Sequence, residues 1–121
     1  MAEQCQQSNI LKKIEMNLPK VVTDLINAQN TFDSMAYANC FSETGIMHEE
    51  GRDCEGRTAI RHIIEEANKK YQSVMKPVDY TESVTSSILS AECSGTFSGS
   101  PLILKFHFEI VDGQIQYLKV I

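Results

Sequence analysis

Long apolar runs are missing from this chain of 121 residues, in which no uninterrupted apolar stretch exceeds a few positions. A helix that spans a bilayer needs ~20 such residues, so no membrane partner is expected. Basic charge is also scarce: 11 lysines and arginines stand against 16 aspartates and glutamates, a net charge of −5. Nucleic-acid binding leaves a basic footprint, so nucleic acid is not an expected partner either. The four cysteines (Cys5, Cys40, Cys54 and Cys93) contain no Cys-x-x-Cys pair, and the three histidines show no His-x-x-x-His spacing. Neither a zinc ribbon, a thioredoxin-type motif nor any other metal site is expected. The opening Met-Ala-Glu-Gln-Cys has no basic stretch followed by an apolar one, unlike a secretory signal. The expectation is a cytoplasmic protein with free thiols, in which Cys40 and Cys93 act as small buried apolar groups. Repeats, low-complexity segments and linkers are absent as well.

What is present is enough apolar residue, 42% of the chain, for one core of ordinary size. Residues 1–17 read as a polar, glutamine-rich lead-in with a weak apolar set at Ile10, Leu11, Ile14 and Met16. Residues 18–121 read as the domain. Pro19 suits a first helical turn, and Leu18, Val21, Val22, Leu25 and Ile26 follow the spacing of a core-facing helix. Asn30 or Thr31 can cap a second helix, with Asp33 in its first turn and Met35, Ala36, Ala38 and Phe41 toward its inner side. A short strand over 45–50 is stopped by Gly51-Arg52-Asp53. Thr58 can cap a third helix, whose stripe Ile60, Ile63, Ile64, Ala67, Tyr71 is the cleanest helical pattern in the chain.

After Pro77 the period changes from 3.6 to 2. Strands are expected over 78–84, 85–96, 102–111 and 115–120. In the third of these Leu102, Leu104, Phe106, Phe108 and Ile110 share one face, with Ile103, Lys105, His107 and Glu109 on the other. Asp112-Gly113 is a hairpin turn signal. This order predicts an α+β fold: a curved antiparallel β-sheet with three helices packed on its concave face. Such a sheet tends to leave a pocket at its open end.

Two stretches carry a resemblance. Phe41-Ser-Glu-Thr-Gly-Ile-Met-His-Glu-Glu-Gly51, followed by Cys54-Glu-Gly-Arg-Thr-Ala-Ile60, resembles the first strand and third-helix entry of the nuclear transport factor 2-like superfamily. That superfamily includes SnoaL-like polyketide cyclases and ketosteroid isomerases. Ser94-Gly-Thr-Phe-Ser-Gly-Ser-Pro101, Leu104-Lys-Phe-His-Phe108 and Asp112-Gly-Gln-Ile115 look like a bacterial SnoaL-like group. The resemblance covers residues 18–121 and implies the cone-shaped, cystatin-like form of the α+β fold. It does not choose an activity, because this fold hosts isomerases, dehydratases, cyclases, hydrolases and binders.

In the isomerase branch a carboxylate at the end of the first strand abstracts a proton beside a carbonyl, and counting eight residues on from Phe41 lands on Glu49. Facing an apolar pocket, such a carboxylate is expected to have its pKa raised by desolvation, as a general base near neutral pH requires. His48 with Glu50, on the opposite face of the strand, forms a second acid–base candidate. The pocket is expected to be lined by Met35, Met47, Tyr71, Phe97, Leu104, Phe106 and Phe108. The branch's oxyanion donors, a first-helix tyrosine and a late-strand aspartate, fall near Val22 and Leu104. Neither can donate from its side chain, so steroid-type isomerisation is disfavoured. Arg52 and Arg57 flank the strand-to-helix turn and read as surface charge. Tyr37, Tyr71 and Tyr117 offer phenols, while His62 has no ligand-like neighbour.

Two functions remain open. One is a cofactor-independent isomerase, cyclase or dehydratase acting on a small apolar carbonyl compound. The other is a non-catalytic module for binding a small apolar ligand or for homodimerisation. The family resemblance implies a homodimer, and the outer sheet face around Ile103 and His107 is its expected patch.

Overall fold

Proline cannot donate a backbone hydrogen bond, and Pro19 stands where none is needed, immediately ahead of the first helix. Its carbonyl accepts from the Val22 and Thr23 amides at 3.0 and 3.1 Å. Helix α1 (Lys20–Asn30) then buries Val21, Val22, Leu25, Ile26 and Ala28. The apolar stripe extends to Ala28, so α1 continues through Asn30, and the Thr31 hydroxyl closes it by donating to the Asn27 carbonyl at 2.9 Å. Asn30 and Thr31 therefore do not cap the second helix. Asp33 caps it instead: its carboxylate accepts from the Ala36 amide at 3.0 Å ahead of α2 (Ser34–Asn39). The computed structural model describes residues 18–49 and 51–121, and expectations for 1–17 and for Glu50 lie outside the described residues.

Strand β1 (Phe41–Glu49) begins earlier than its sequence pattern shows. Arg52 and Asp53, expected as a stop, instead open the returning strand β2 (Arg52–Glu55). The cross-strand pairs His48–Asp53 and Glu49–Arg52 place the reversal in between. Helix α3 (Arg57–Tyr71) starts after Gly56, one residue ahead of Thr58, and buries Ile60 and Ile64 most deeply. Pro77 lies within β3 (Val74–Glu82) instead of preceding it. That strand is at the sheet edge, where a missing amide is tolerated, and its register shifts between Pro77 and Asp79. Strands β4 (Ser87–Ser94), β5 (Leu102–Val111) and β6 (Gln114–Val120) follow. Asp112 and Gly113 both take positive φ, 53° and 77°, which closes the β5–β6 hairpin.

The six strands lie in the order β2-β1-β6-β5-β4-β3. The α+β architecture is the one expected, with one difference in pairing: β1 and β6 run parallel. No hairpin joins those two strands, so no turn dictates their relative direction. Among the described residues, Phe41, Phe108, Leu25, Ile60, Leu89, Ile115 and Val22 are the largest fully enclosed side chains. Phe108 is thus core, not pocket wall: it is wholly enclosed, and its cross-strand neighbours Ser87 and Leu118 are buried with it. No helix among the described residues is long and apolar enough to cross a membrane.

Candidate active site

The site starts from the alternation along β1. Met47 points inward and is 3% exposed, and Glu49 follows two residues later, at the strand end. The start of β1 is pinned by Arg57, whose Nε donates to the Phe41 carbonyl at 2.8 Å. This gives Arg57 a structural role, in place of the surface role its sequence position implied. The short helix α2 carries Tyr37 into the interior, 6% exposed, with its ring 6.1 Å from that of Phe41.

The far wall depends on the loop after β4. The Thr96 amide donates to the Tyr71 carbonyl at 2.7 Å, and the Thr96 hydroxyl reaches the same oxygen at 3.1 Å. A side chain at Gly95 would collide with that carbonyl, so glycine is what allows the approach. The loop thereby seats Phe97 edge-on against Tyr71, centroids 6.2 Å apart and planes at 82°.

These elements enclose a cavity of about 340 Å3. Met47, Tyr71, Phe97, Leu104 and Phe106 line it, together with Leu118 and Cys93. Met35 does not: it is 58% exposed. Six residues of helix are too few to fix a rotational phase from sequence, and Tyr37 takes the inward position. Glu49 and His48 both border the cavity. The His48 Nδ1 lies 2.7 Å from Asp53 Oδ1 across the hairpin, so the partner the structure shows for His48 is Asp53. Glu50 lies outside the described residues. Of the two positions expected to lack donors, Val22 is wholly buried in the core and Leu104 stands on the cavity wall.

Tyr37, Gln29 and Asn68 are polar residues of the wall with no counterpart in the expected site. Tyr37 was available as a phenol but had no place assigned. Burial pushes that phenol well above its ordinary value of 10, and the negative charge of Glu49 adds to the shift. Gln29 and Asn68 form the second polar spot: Gln29 Nε2 donates to Asn68 Oδ1 at 3.0 Å and to the Ser73 carbonyl at 2.7 Å. A signal for this pair was present in the sequence. Gln29 continues the stripe Val22–Ile26 and Asn68 the stripe Ile60–Ile64, so each places an amide on an apolar helix face.

Cys40 and Cys93 are buried free thiols, as expected. Burial raises both, Cys40 to about 11, which leaves them protonated and unreactive near neutral pH. Among the described residues no cluster of three or more His, Cys, Asp or Glu side chains is arranged to hold a metal ion.

No protein-family model matches the sequence, and no curated protein matches it. Solved structures do. A candidate polyketide cyclase from Sinorhizobium meliloti superposes with a TM-score of 0.82 at 30% identity, covering 88% of this chain and 97% of that one. A protein with a ketosteroid isomerase-like fold from Catenulispora acidiphila gives 0.75 at 15% identity, covering 85% of each chain. An epoxide hydrolase/cyclase-like enzyme of pyran-ring formation in the polyether salinomycin gives 0.70 at 19%, covering 84% of this chain and 86% of its own. The last two share the fold alone, whereas the first shares sequence over almost its full length. The chain belongs to the nuclear transport factor 2-like superfamily, in its SnoaL-like, polyketide cyclase-like group.

Proposed function

We propose that the chain is a cofactor-independent enzyme of the isomerase, cyclase or dehydratase type, acting on a small hydrophobic carbonyl compound. The observation that carries this reading is that Tyr37 and Glu49 border one cavity, the phenol buried and held protonated, with the carboxylate's charge adding to that effect. Glu49 takes the proton next to the carbonyl. Tyr37 donates a hydrogen bond to the oxygen on which negative charge develops, and the apolar wall keeps bulk water from competing for it. The fold's usual donor positions are apolar here, so Tyr37 supplies the donor from a different helix.

Support also comes from the relatives, which include a candidate polyketide cyclase and an epoxide hydrolase/cyclase-like enzyme. A homodimer through the outer sheet face belongs to the same proposal, supported by the exposed Ile103 and Val111 on that face. Ile103→Glu is expected to yield monomers in sedimentation velocity, and an unchanged mass would remove the dimer from it.

The test is exchange of the hydrogen beside the carbonyl of small hydrophobic ketones in D2O, followed by proton NMR. Wild type is expected to exchange it, Glu49→Gln to stop, and Tyr37→Phe to slow by roughly 10²–10³-fold. Exchange that is unaffected by Glu49→Gln would sink the enzyme reading. Ketones that raise the melting temperature of wild type and Glu49→Gln alike, without exchange, would favour a binding module.

A further inference from the structure

The cavity does not end at Glu49. A second recess of about 540 Å3 lies between the β1–β2 hairpin and α3, and Glu49, Ala67 and Tyr71 border both spaces. The first space is walled mainly by apolar side chains, whereas the second carries Arg52, Lys69 and Lys70, with His62 beside them. Arg52 is the cross-strand partner of Glu49, so a cation stands directly at the junction. Lys70 holds its ammonium 5.1 Å from the centroid of the Tyr71 ring, above a residue of the shared wall. Glu66 is the other carboxylate of the recess, and Lys69 lies 3.9 Å from it. Among the described residues, three permanent cations therefore face two carboxylates at the mouth, on a chain whose net charge is −5.

An apolar chamber that opens into a positive mouth fits an amphipathic anion. We infer that the ligand of this cavity carries a carboxylate group, held at the mouth by Arg52 and Lys70, with its apolar body in the chamber beyond Tyr71. This inference rests on the reading of the chamber as a site for a hydrophobic compound and names the class of that compound. Both cations are exposed. Their contribution is therefore a modest selectivity that salt weakens, and the apolar body supplies most of the affinity.

The experiment uses the neutral fluorescent probe N-phenyl-1-naphthylamine, displaced by octanoate or by 1-octanol at low ionic strength. Octanoate is expected to compete roughly three- to tenfold better than octanol. The preference should disappear in Arg52→Ala/Lys70→Ala and shrink in 0.5 M NaCl, where the Debye length falls to about 4 Å. Both positions are at the surface, and an unchanged far-UV spectrum confirms the variant's fold. Equal competition by the two compounds, or a preference that survives the double substitution, overturns the inference while leaving the chamber's role intact. If neither the probe nor either compound binds, the reading of the chamber falls, and this inference falls with it.

Discussion

Tyr37 on α2 and Glu49 at the end of β1 border the same cavity, where the carboxylate's charge adds to burial in holding the phenol protonated. The consequence for stability has a definite sign. In the unfolded chain the phenol titrates near its ordinary 10, and in the folded chain higher. The folded state therefore holds a proton that the unfolded state has lost, and this contribution, complete below pH 10, is lost as the pH rises toward the folded value. Cys40 acts in the same sense from 9 to about 11. Urea midpoints should fall steadily between pH 9 and 11, and Tyr37→Phe and Cys40→Val should each flatten that fall.

Asn30 is bound to the edge strand through both ends of its side-chain amide. Its Nδ2 donates to the Met75 carbonyl at 3.0 Å, and its Oδ1 accepts from the Met75 amide at 2.7 Å. The side chain thus pairs with β3 as a neighbouring strand would. Asn30→Ala should destabilise the fold by roughly 1–3 kcal/mol in urea unfolding. Amide exchange at Met75 should accelerate more than exchange at Leu89.

Asp33 supplies the cap of the short helix that presents Tyr37. Asp33→Ala is expected to cost about 1 kcal/mol in equilibrium unfolding. Asp33→Asn, which keeps the acceptor oxygen, should retain most of that stability.

The loop that seats Phe97 depends on close approach at Gly95. Gly95→Ala should lower stability by roughly 1–3 kcal/mol through the collision with the Tyr71 carbonyl. Binding of hydrophobic ketones in the chamber should weaken as well, because Phe97 and Tyr71 move apart.

Elements were legible in the sequence where one face dominates a long segment. The stripe Ile60–Tyr71 announced α3, and the alternation Leu102–Ile110 gave both faces of β5. Asp112-Gly113 marked its own turn. Boundaries failed where a tertiary partner decides them, as with Pro77, which is tolerated only because β3 is an edge. The parallel alignment of β1 with β6 was out of reach, since pairing between strands some seventy residues apart leaves no local trace. Within the site, the apolar wall was mostly readable from periodicity. Tyr37 was not, because α2 is too short to show which side faces in. Phe108 and Phe106 share a sequence pattern, and only tertiary packing, which encloses the first and leaves the second on the cavity, separates core from wall.

The position of β6 in the sheet also bears on synthesis. Among the described residues, the hairpin β1–β2 and the meander β3–β4–β5 are joined in one sheet by β6, which stands between them and follows both in sequence. A nascent chain halted before Gln114 would present two separate pieces of sheet, each with an unsatisfied edge open to intermolecular pairing. Glu49 is made well before β6, which supplies Leu118 and Val120 to the cavity wall, so the cavity is complete only once that strand has joined the sheet. Intermediates that lack β6 would therefore expose strand edges, and the cavity would take shape only when that strand unites the two pieces.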